Sequence, residues 1–423
     1  MGSSRLVIIA LLFAFSAVSY FDRTIMSIAG PALMQEFAIS STEMGSVYSA
    51  FILGYALLMI PGGWLTDRLG SRRTLLIMGA SSAALTGMMI VGAKPGLGSV
   101  LGIVPAMFVI RLALGFVTAP LYPACARTTA NWVPLTQHAR VQGFIIAGSS
   151  VGAAASPVIF VWLMTRLGWR GSFAAAATVT AALTILWYMR ASDYPSDAPA
   201  ERSQLITKPP GRLWSELFRD RNLQLITFAY AGLGYFQYIF FYWIYYYFGQ
   251  VRHLDANESA GYTTILFVTE GIMMPLGGFI SDRITRAHGA QLGRRVVPMV
   301  ALTLSAACTY MGAISVGTTA VVFFLSLAFG FAACCEGPFW AFLTDTAGES
   351  VGAASSILNL GAQIGGFFSP VVTPYIAERL GWSWGLYAGS LFAILGVVAL
   401  YFVRLQRSSL RADSAAVKCG SIV

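Results

Sequence analysis

Long apolar runs alternate with short polar segments along almost the whole chain. A helical run of about 20 apolar residues, rising 1.5 Å per residue, matches the ~30 Å hydrocarbon core of a bilayer. The pattern predicts twelve such spans, near residues 6–30, 45–66, 74–93, 101–125, 139–164, 171–190, 222–249, 259–281, 295–316, 319–342, 351–376 and 383–404. One polar stretch is long. It runs from Ala191 to about Arg221 and sets Pro195, Pro199, Pro209 and Pro210 among Asp, Ser and Arg, the composition of a linker. The chain therefore divides into a six-span unit over residues 1–190, a linker over 191–221, a second six-span unit over 222–405 and a tail over 406–423. The first apolar run follows Arg5, as a secretory signal would. No small-residue cleavage site comes after it, and it leads into Asp22, Arg23 and a long loop, so it reads as the first span.

Composition narrows the class. Hydrophobic residues make up 57% of the chain and charged residues only 11%, against roughly 25% charged in soluble domains. A soluble enzyme, a nucleic-acid binder and a disordered protein are all disfavoured. The net charge of +9 has a topological source rather than a nucleic-acid partner. Arg68, Arg72 and Arg73 fall between spans two and three, Arg127 and Arg140 between four and five, and Arg283, Arg286, Arg294 and Arg295 between eight and nine. Arg404, Arg407 and Arg411 follow span twelve, whereas the alternate loops hold Lys94, Arg166, Arg170, Arg252 and Arg379. The positive-inside rule then places both termini and the linker in the cytoplasm. Cys125, Cys308, Cys334, Cys335 and Cys419 form no CxxC and no Cys/His set with metal-ligand spacing, so no metal or other cofactor is expected. No nucleophile–base pair suggests an enzyme.

The two units read as copies. Gly63-Trp-Leu-Thr-Asp67-Arg68 recurs as Gly278-Phe-Ile-Ser-Asp282-Arg283, and Leu112-Ala-Leu-Gly-Phe116 as Leu327-Ala-Phe-Gly-Phe331, both 215 residues on. Pro123 meets Pro338 at the same offset, while Ser156-Pro157 and Leu167-Gly-Trp169 recur at 213 as Ser369-Pro370 and Leu380-Gly-Trp382. Six spans separate the copies, so both have one orientation and are related by an axis along the membrane normal. Repeats of this kind build transporters whose site lies between the halves near the midplane.

The segment Gly63-Trp-Leu-Thr-Asp67-Arg68-Leu-Gly70-Ser-Arg72-Arg73 resembles the signature loop of the major facilitator superfamily, and the six-plus-six plan extends the resemblance over the whole chain. Within that superfamily, Tyr20-Phe-Asp22-Arg23, Tyr55-Ala-Leu-Leu-Met-Ile-Pro61-Gly-Gly-Trp64, Arg111-Leu-Ala-Leu-Gly-Phe and Tyr122-Pro-Ala are similar to the anion:cation symporters. These include hexuronate, galactonate and phthalate permeases and vesicular and lysosomal organic-anion carriers. The resemblance implies an all-α membrane protein of twelve transmembrane helices in two six-helix bundles related by a pseudo-two-fold axis. It also implies a bacterial inner-membrane location.

Ionisable groups inside spans cost ~2.5–3.5 kcal/mol each at a helix centre and are functional candidates by default. Asp22 and Arg23 lie about 16 residues into span one, or ~24 Å along it. Arg23 is a candidate substrate-carboxylate anchor and Asp22 a proton carrier; a gating or capping pair is the alternative. Arg111 in span four offers a planar fork that matches a carboxylate and cannot lose its charge. In the resembling family an arginine here is paired with a proton-coupling glutamate seven residues on, where this chain has Thr118. Two carboxylates, Glu270 and Glu336, occupy spans eight and ten, where the family usually has small residues. The repeat maps Glu270 onto Tyr55, which matches a substrate-site tyrosine of the family. Each acid reads as a proton site, as a contact for a cationic substrate group, or as a static partner of Arg23 or Arg111.

Asn359 and Gln363 share a face of span eleven by i, i+4 spacing; the family has a substrate-binding asparagine in this span, and either residue matches it. Ser149, Ser150, Thr344, Asp345 and His138 are weaker candidates. Tyr230, Tyr235, Tyr238, Tyr242, Tyr245, Tyr246 and Tyr247 make span seven strongly aromatic. They divide between an interfacial belt and an inward face carrying Tyr235, Tyr238 and Tyr242 that closes over substrate. Gly63, Asp67, Arg68 and Arg72, with Asp282 and Arg283, correspond to the family's cytoplasmic gating latch.

The expected function is proton-coupled symport of a small organic anion by a monomer in the lipid bilayer. Arg23 and Arg111 hold the anion, Tyr55, Asn359, Gln363 and Tyr238 contact it, and Asp22 with Glu270 or Glu336 carries protons. Two rivals stand beside it: a transporter or exporting antiporter of a zwitterionic or amine-bearing acid, and a membrane receptor that has lost transport.

Overall fold

The computed structural model describes residues 3–92, 102–133, 137–194, 217–346 and 351–403. These form thirteen α-helices of eleven or more residues and, among the described residues, no strand. In the first half they are α1 (Ser3–Phe37), α2 (Ser41–Leu69), α3 (Ser71–Gly92), α4 (Ile103–Thr118), α5 (Leu121–Trp132) and α6 (His138–Arg190). The second half holds α7 (Arg221–Tyr246), α8 (Ala256–His288), α9 (Ala290–Ile314), α10 (Thr318–Ala333), α11 (Glu336–Thr346), α12 (Val351–Leu380) and α13 (Trp382–Phe402). A π-turn, Tyr247–Val251, follows α7. Most of the expected linker and tail lies outside the described residues.

Eight helices or helix pairs among the described residues are long and apolar enough to cross a membrane, or nine with α2, which is bent by 58° just before Pro61. Proline removes the N–H that the ladder needs there. α6 makes two passes, interrupted at Gly168, where a non-helical φ of 65° that suits glycine turns the chain back. α7 is rich in tyrosine, and α12 carries Ser355, Ser356, Asn359 and Gln363; they complete twelve passes of an integral, multi-pass membrane protein.

Three expectations need correction. No long loop follows the first span: α1 continues to Phe37, and only Ala38–Ser40 join it to α2. A capping box explains the tight start, with the Ser40 hydroxyl accepting from the Glu43 amide and the Glu43 carboxylate from the Ser40 amide. Second, the spans near 101–125 and 319–342 are broken, between α4 and α5 at Ala119–Pro120 and between α10 and α11 at Cys334–Cys335. The two breaks lie 215 residues apart, so the repeat extends to the backbone irregularity. Third, span seven is not mainly an interfacial belt: Tyr230, Tyr235, Tyr238, Tyr242, Tyr245 and Tyr247 are buried, and Tyr246 is partly exposed.

The halves meet along α2 with α12 and α6 with α8, while α1 faces α7 between these seams. The repeat exchanges α2 with α8, α12 with the first pass of α6, and α1 with α7, as a pseudo-two-fold axis requires. The seal lies at the end away from the chain termini, where α1 and α7 finish and α2 begins. Gly45 lets α2 touch α12 there, because a Cβ would fall onto the Pro370 carbonyl oxygen. Ser49 donates to the Phe367 carbonyl at 2.6 Å and Thr42 to Glu378 at 3.0 Å. Tyr48 stacks on Tyr242 at 4.9 Å, and Trp243 donates to the Pro370 carbonyl at 3.1 Å. This apolar cluster draws on both halves, whereas the one around Ile8, Leu75, Trp132 and Trp187 at the other end belongs to the first half alone.

Candidate functional site

Arg23 projects from α1 into the space where the halves meet. It is buried, at 7% exposure, and donates to the Tyr238 hydroxyl on α7. Its guanidinium carbon lies 5.5 Å from the Tyr20 ring centre, 5.1 Å from Phe51, 5.0 Å from Tyr238 and 6.0 Å from Phe241. Arg111 on α4 is 1% exposed, donates to the Arg23 carbonyl at 3.3 Å, and lies 4.9 Å from the same Phe51 ring. The two cations thus share one aromatic platform, which is worth up to ~2 kcal/mol for each when desolvated. Gly115 makes this possible: a Cβ there would strike the Phe51 carbonyl, so only glycine lets α4 approach α2 closely enough to bring Arg111 beside Phe51. Tyr242 lies against both guanidiniums, and the Nε of each has no partner.

Among the described residues neither arginine forms an ion pair. The static pairing with Glu270 or Glu336 considered from the sequence is therefore not what holds them. A buried cation without a counter-ion is expensive, and the planar fork suits a carboxylate or sulfonate. Polar contacts continue from Arg23 across the second half. Tyr238 donates to Gln363 at 3.3 Å, Gln363 to Asn359 at 3.4 Å, and Asn359 approaches the Met59 sulfur at 3.1 Å, returning to α2. Tyr55 stacks on Phe51 with ring centres 6.3 Å apart and lies beside Arg23 and Tyr238. Tyr235 leaves the expected inward face and bonds Thr373 at 3.1 Å.

Asp22, at 5% exposure, reaches toward α6 of the first bundle. Thr180 on α6 donates to its Oδ2 at 2.8 Å, and its Oδ1 has no partner. It lines a tight pocket of about 10 Å³, roughly the room for one water, together with Arg23, Phe51, Ser82, Thr118 and Thr180, so the pocket adjoins the arginine site. Thr118 bonds back to the Leu114 carbonyl at 2.8 Å.

The second-half carboxylates come together. Glu336, first residue of α11 and half-buried, accepts from Tyr230 at 2.6 Å and from Gln237 at 3.1 Å. Glu270 on α8 is 5% exposed and has Glu336 as its charged neighbour. Among the described residues no cluster of three or more His, Cys, Asp or Glu could hold a metal.

The latch residues stay within their own halves. Asp67 meets Arg127 at 3.6 Å, and Asp282 meets Arg294 at 2.6 Å. Arg68 lies over Trp64 at 3.8 Å, Arg72 donates to the Tyr188 carbonyl at 3.0 Å, Arg283 is exposed, and Gly63 has open space around it. Ser149 bonds the Ile146 carbonyl at 2.6 Å, and Ser150 packs on Gly271 across the α6–α8 seam. The side chains of His138, Thr344 and Asp345 lie outside the described residues. Sequence reasoning missed Phe51 and Thr180. The only sequence signal for Phe51 is its i, i+4 spacing to Tyr55, and a lone threonine in a span carries none.

Comparison with known proteins fits this geometry. The family model described as Major Facilitator Superfamily matches residues 12–349 and again 263–418. A protein of Cupriavidus necator named "Probable sulfoacetate transporter" is 28% identical, over 99% of this chain and 97% of its own. The hexuronate transporter of Bacillus subtilis is 27% identical over 95% and 96%, and a D-galactonate transporter of Escherichia coli 27% over 94% and 95%. Among solved structures, a bacterial homologue of the human lysosomal transporter Spinster, in an inward-facing and occupied conformation, superposes with a TM-score of 0.79. It shares 14% identity and covers 95% of this chain and 97% of its own.

Proposed function

Since the chain belongs to the Major Facilitator Superfamily, and is a membrane transporter rather than an enzyme, we propose that it carries a small organic anion by proton symport. The sugar acids and sulfoacetate named for its relatives support as substrate a compact carboxylate or sulfonate, with or without hydroxyls. The observation that carries this reading is the pair Arg23 and Arg111 on one Phe51 ring, buried, unpaired with any described acid, at the junction of the halves. The acid group binds between the guanidiniums in place of the Tyr238 hydroxyl, and Tyr55, Gln363 and Asn359 read the remainder. Asp22 and the Glu270–Glu336 pair take up the coupling protons. The protein lies in the bacterial inner membrane as a monomer with both termini cytoplasmic. The seal around Tyr48, Tyr242 and Gly45 then faces outward, and the two halves rock about the site to open it.

The test is counterflow into proteoliposomes loaded with glucuronate, galactonate, glucarate or sulfoacetate. Arg111→Ala should lower exchange by ~100-fold, the scale for losing one partner of a buried charge contact. Arg111→Lys should fail to restore it, because an ammonium keeps the charge and loses the bidentate fork. Near-normal exchange by the lysine variant would remove Arg111 from the anion site.

A further inference from the structure

Among the described residues no basic side chain pairs with the acids of the second half. α7 has no Lys, Arg or His after Arg221, α8 none before Arg283, and α10 and α11 none at all. Glu336 accepts from Tyr230 and Gln237, with Trp340 beside it, and the Tyr230 ring lies 5.1 Å from Phe339 and 6.4 Å from Trp340. Glu270 is 95% buried and accepts no hydrogen bond within the described structure. A carboxylate that deep in a span requires a positively charged partner or a proton.

This pair is one layer of side chains from the arginines. Gln237 and Tyr238 are consecutive on α7; the first bonds Glu336 and the second accepts from Arg23. Phe241 lies 6.0 Å from the Arg23 guanidinium and 5.1 Å from Phe267, which sits one helical turn before Glu270 on α8. The cleft thus has two cations on the wall from the first half and two acids on the wall from the second.

We propose that Glu270 and Glu336 form a cation subsite for the ammonium group of the substrate, so that the preferred cargo is an amine-bearing acid. This rests on the anion site proposed above. Tyr230 and Gln237 hold Glu336 in position, Glu270 supplies the free oxygens, and the flanking rings favour a cation by their π faces. For an amine-free acid, protons neutralise the pair; for an amine-bearing one, the ammonium takes their place.

The experiment measures equilibrium binding to the purified full chain for matched acids with and without an amine: β-alanine against propionate, γ-aminobutyrate against butyrate, and taurine against ethanesulfonate. In wild type the aminated member should bind about tenfold tighter or more, the scale of a desolvated charge contact. Glu270→Gln should bring that ratio to near one, Glu270→Asp should keep most of it, and Arg111→Ala should weaken both members of each pair together. Thermal unfolding checks that each variant is folded. A wild-type ratio near one, or a ratio unchanged in both Glu270→Gln and Glu336→Gln, overturns the cation subsite and leaves the anion site standing. Failure of every acid to bind, or binding indifferent to Arg111→Ala, overturns the anion site and the subsite with it. Repeating the series in sodium and in choline chloride separates a substrate ammonium from a metal ion; sodium displacing the aminated members competitively would assign the pair to sodium and overturn the proposal.

Discussion

Asp22 and Glu270 are both buried carboxylates, and their surroundings separate their roles. Asp22 is bonded by Thr180 and lies near Arg111 inside the first bundle. Glu270 faces another acid between the bundles. With Thr118 standing where the resembling family has its coupling glutamate, Glu270 is the acid expected to replace it. Glu270→Gln keeps the shape and cannot be charged. It should abolish accumulation of an amine-free acid under an imposed pH difference by ~10-fold or more, while exchange is reduced far less, since exchange moves no net proton. Glu336→Gln should do less, because Tyr230 and Gln237 already occupy its oxygens. Radiolabel accumulation and exchange, measured on the same vesicles, decide this; undiminished accumulation by Glu270→Gln would move coupling to Asp22. The buried charges of the candidate site were legible in the sequence as candidates, because a charge in an apolar span has few structural explanations. Phe51 and Thr180 were not, since their types are ordinary in membrane helices and only the packing of α2 and α6 gives them roles.

At the level of helices, the closest meeting of the halves is α2 against α12, and it depends on a missing side chain. Gly45→Ala puts a methyl group onto the Pro370 carbonyl, and that backbone oxygen has no rotamer by which to yield. The variant should keep its fold and shift toward a state open on that face. A cysteine placed at Ser49, now bonded to Phe367, should react with a membrane-impermeant maleimide several-fold faster in the Gly45→Ala background. Equal labelling would mean that α2 and α12 do not form the gate. The number and order of helices were readable from apolar length. The breaks at Ala119–Pro120 and Cys334–Cys335 were not, because both lie in uninterrupted apolar sequence and hydropathy does not register a missing hydrogen bond. The tyrosines of α7 misled for a related reason: Tyr suits a lipid interface and a buried seam equally, and only tertiary packing distinguishes them.

For the molecule as a whole, the role we propose for the latch residues is to govern which face opens. Asp67 is half-exposed and 3.6 Å from Arg127 of its own half, a contact worth at most ~1 kcal/mol. Asp67→Ala should therefore leave equilibrium affinity within a few-fold and slow turnover, read from binding and uptake on one preparation, because it biases a conformational population without touching substrate. A collapse of affinity would place Asp67 in the site instead. The central claim is that two arginines at the junction of two rocking bundles drive a small acid across the membrane with protons. The most direct measurement is uptake of glucuronate, galactonate, glucarate and sulfoacetate into proteoliposomes, with an inside-alkaline pH difference and a membrane potential imposed separately. The account predicts that at least one acid accumulates above equilibrium under the pH difference, and that a protonophore or Arg111→Lys abolishes it. Accumulation driven by sodium or by voltage alone, or accumulation that survives Arg111→Lys, would contradict it.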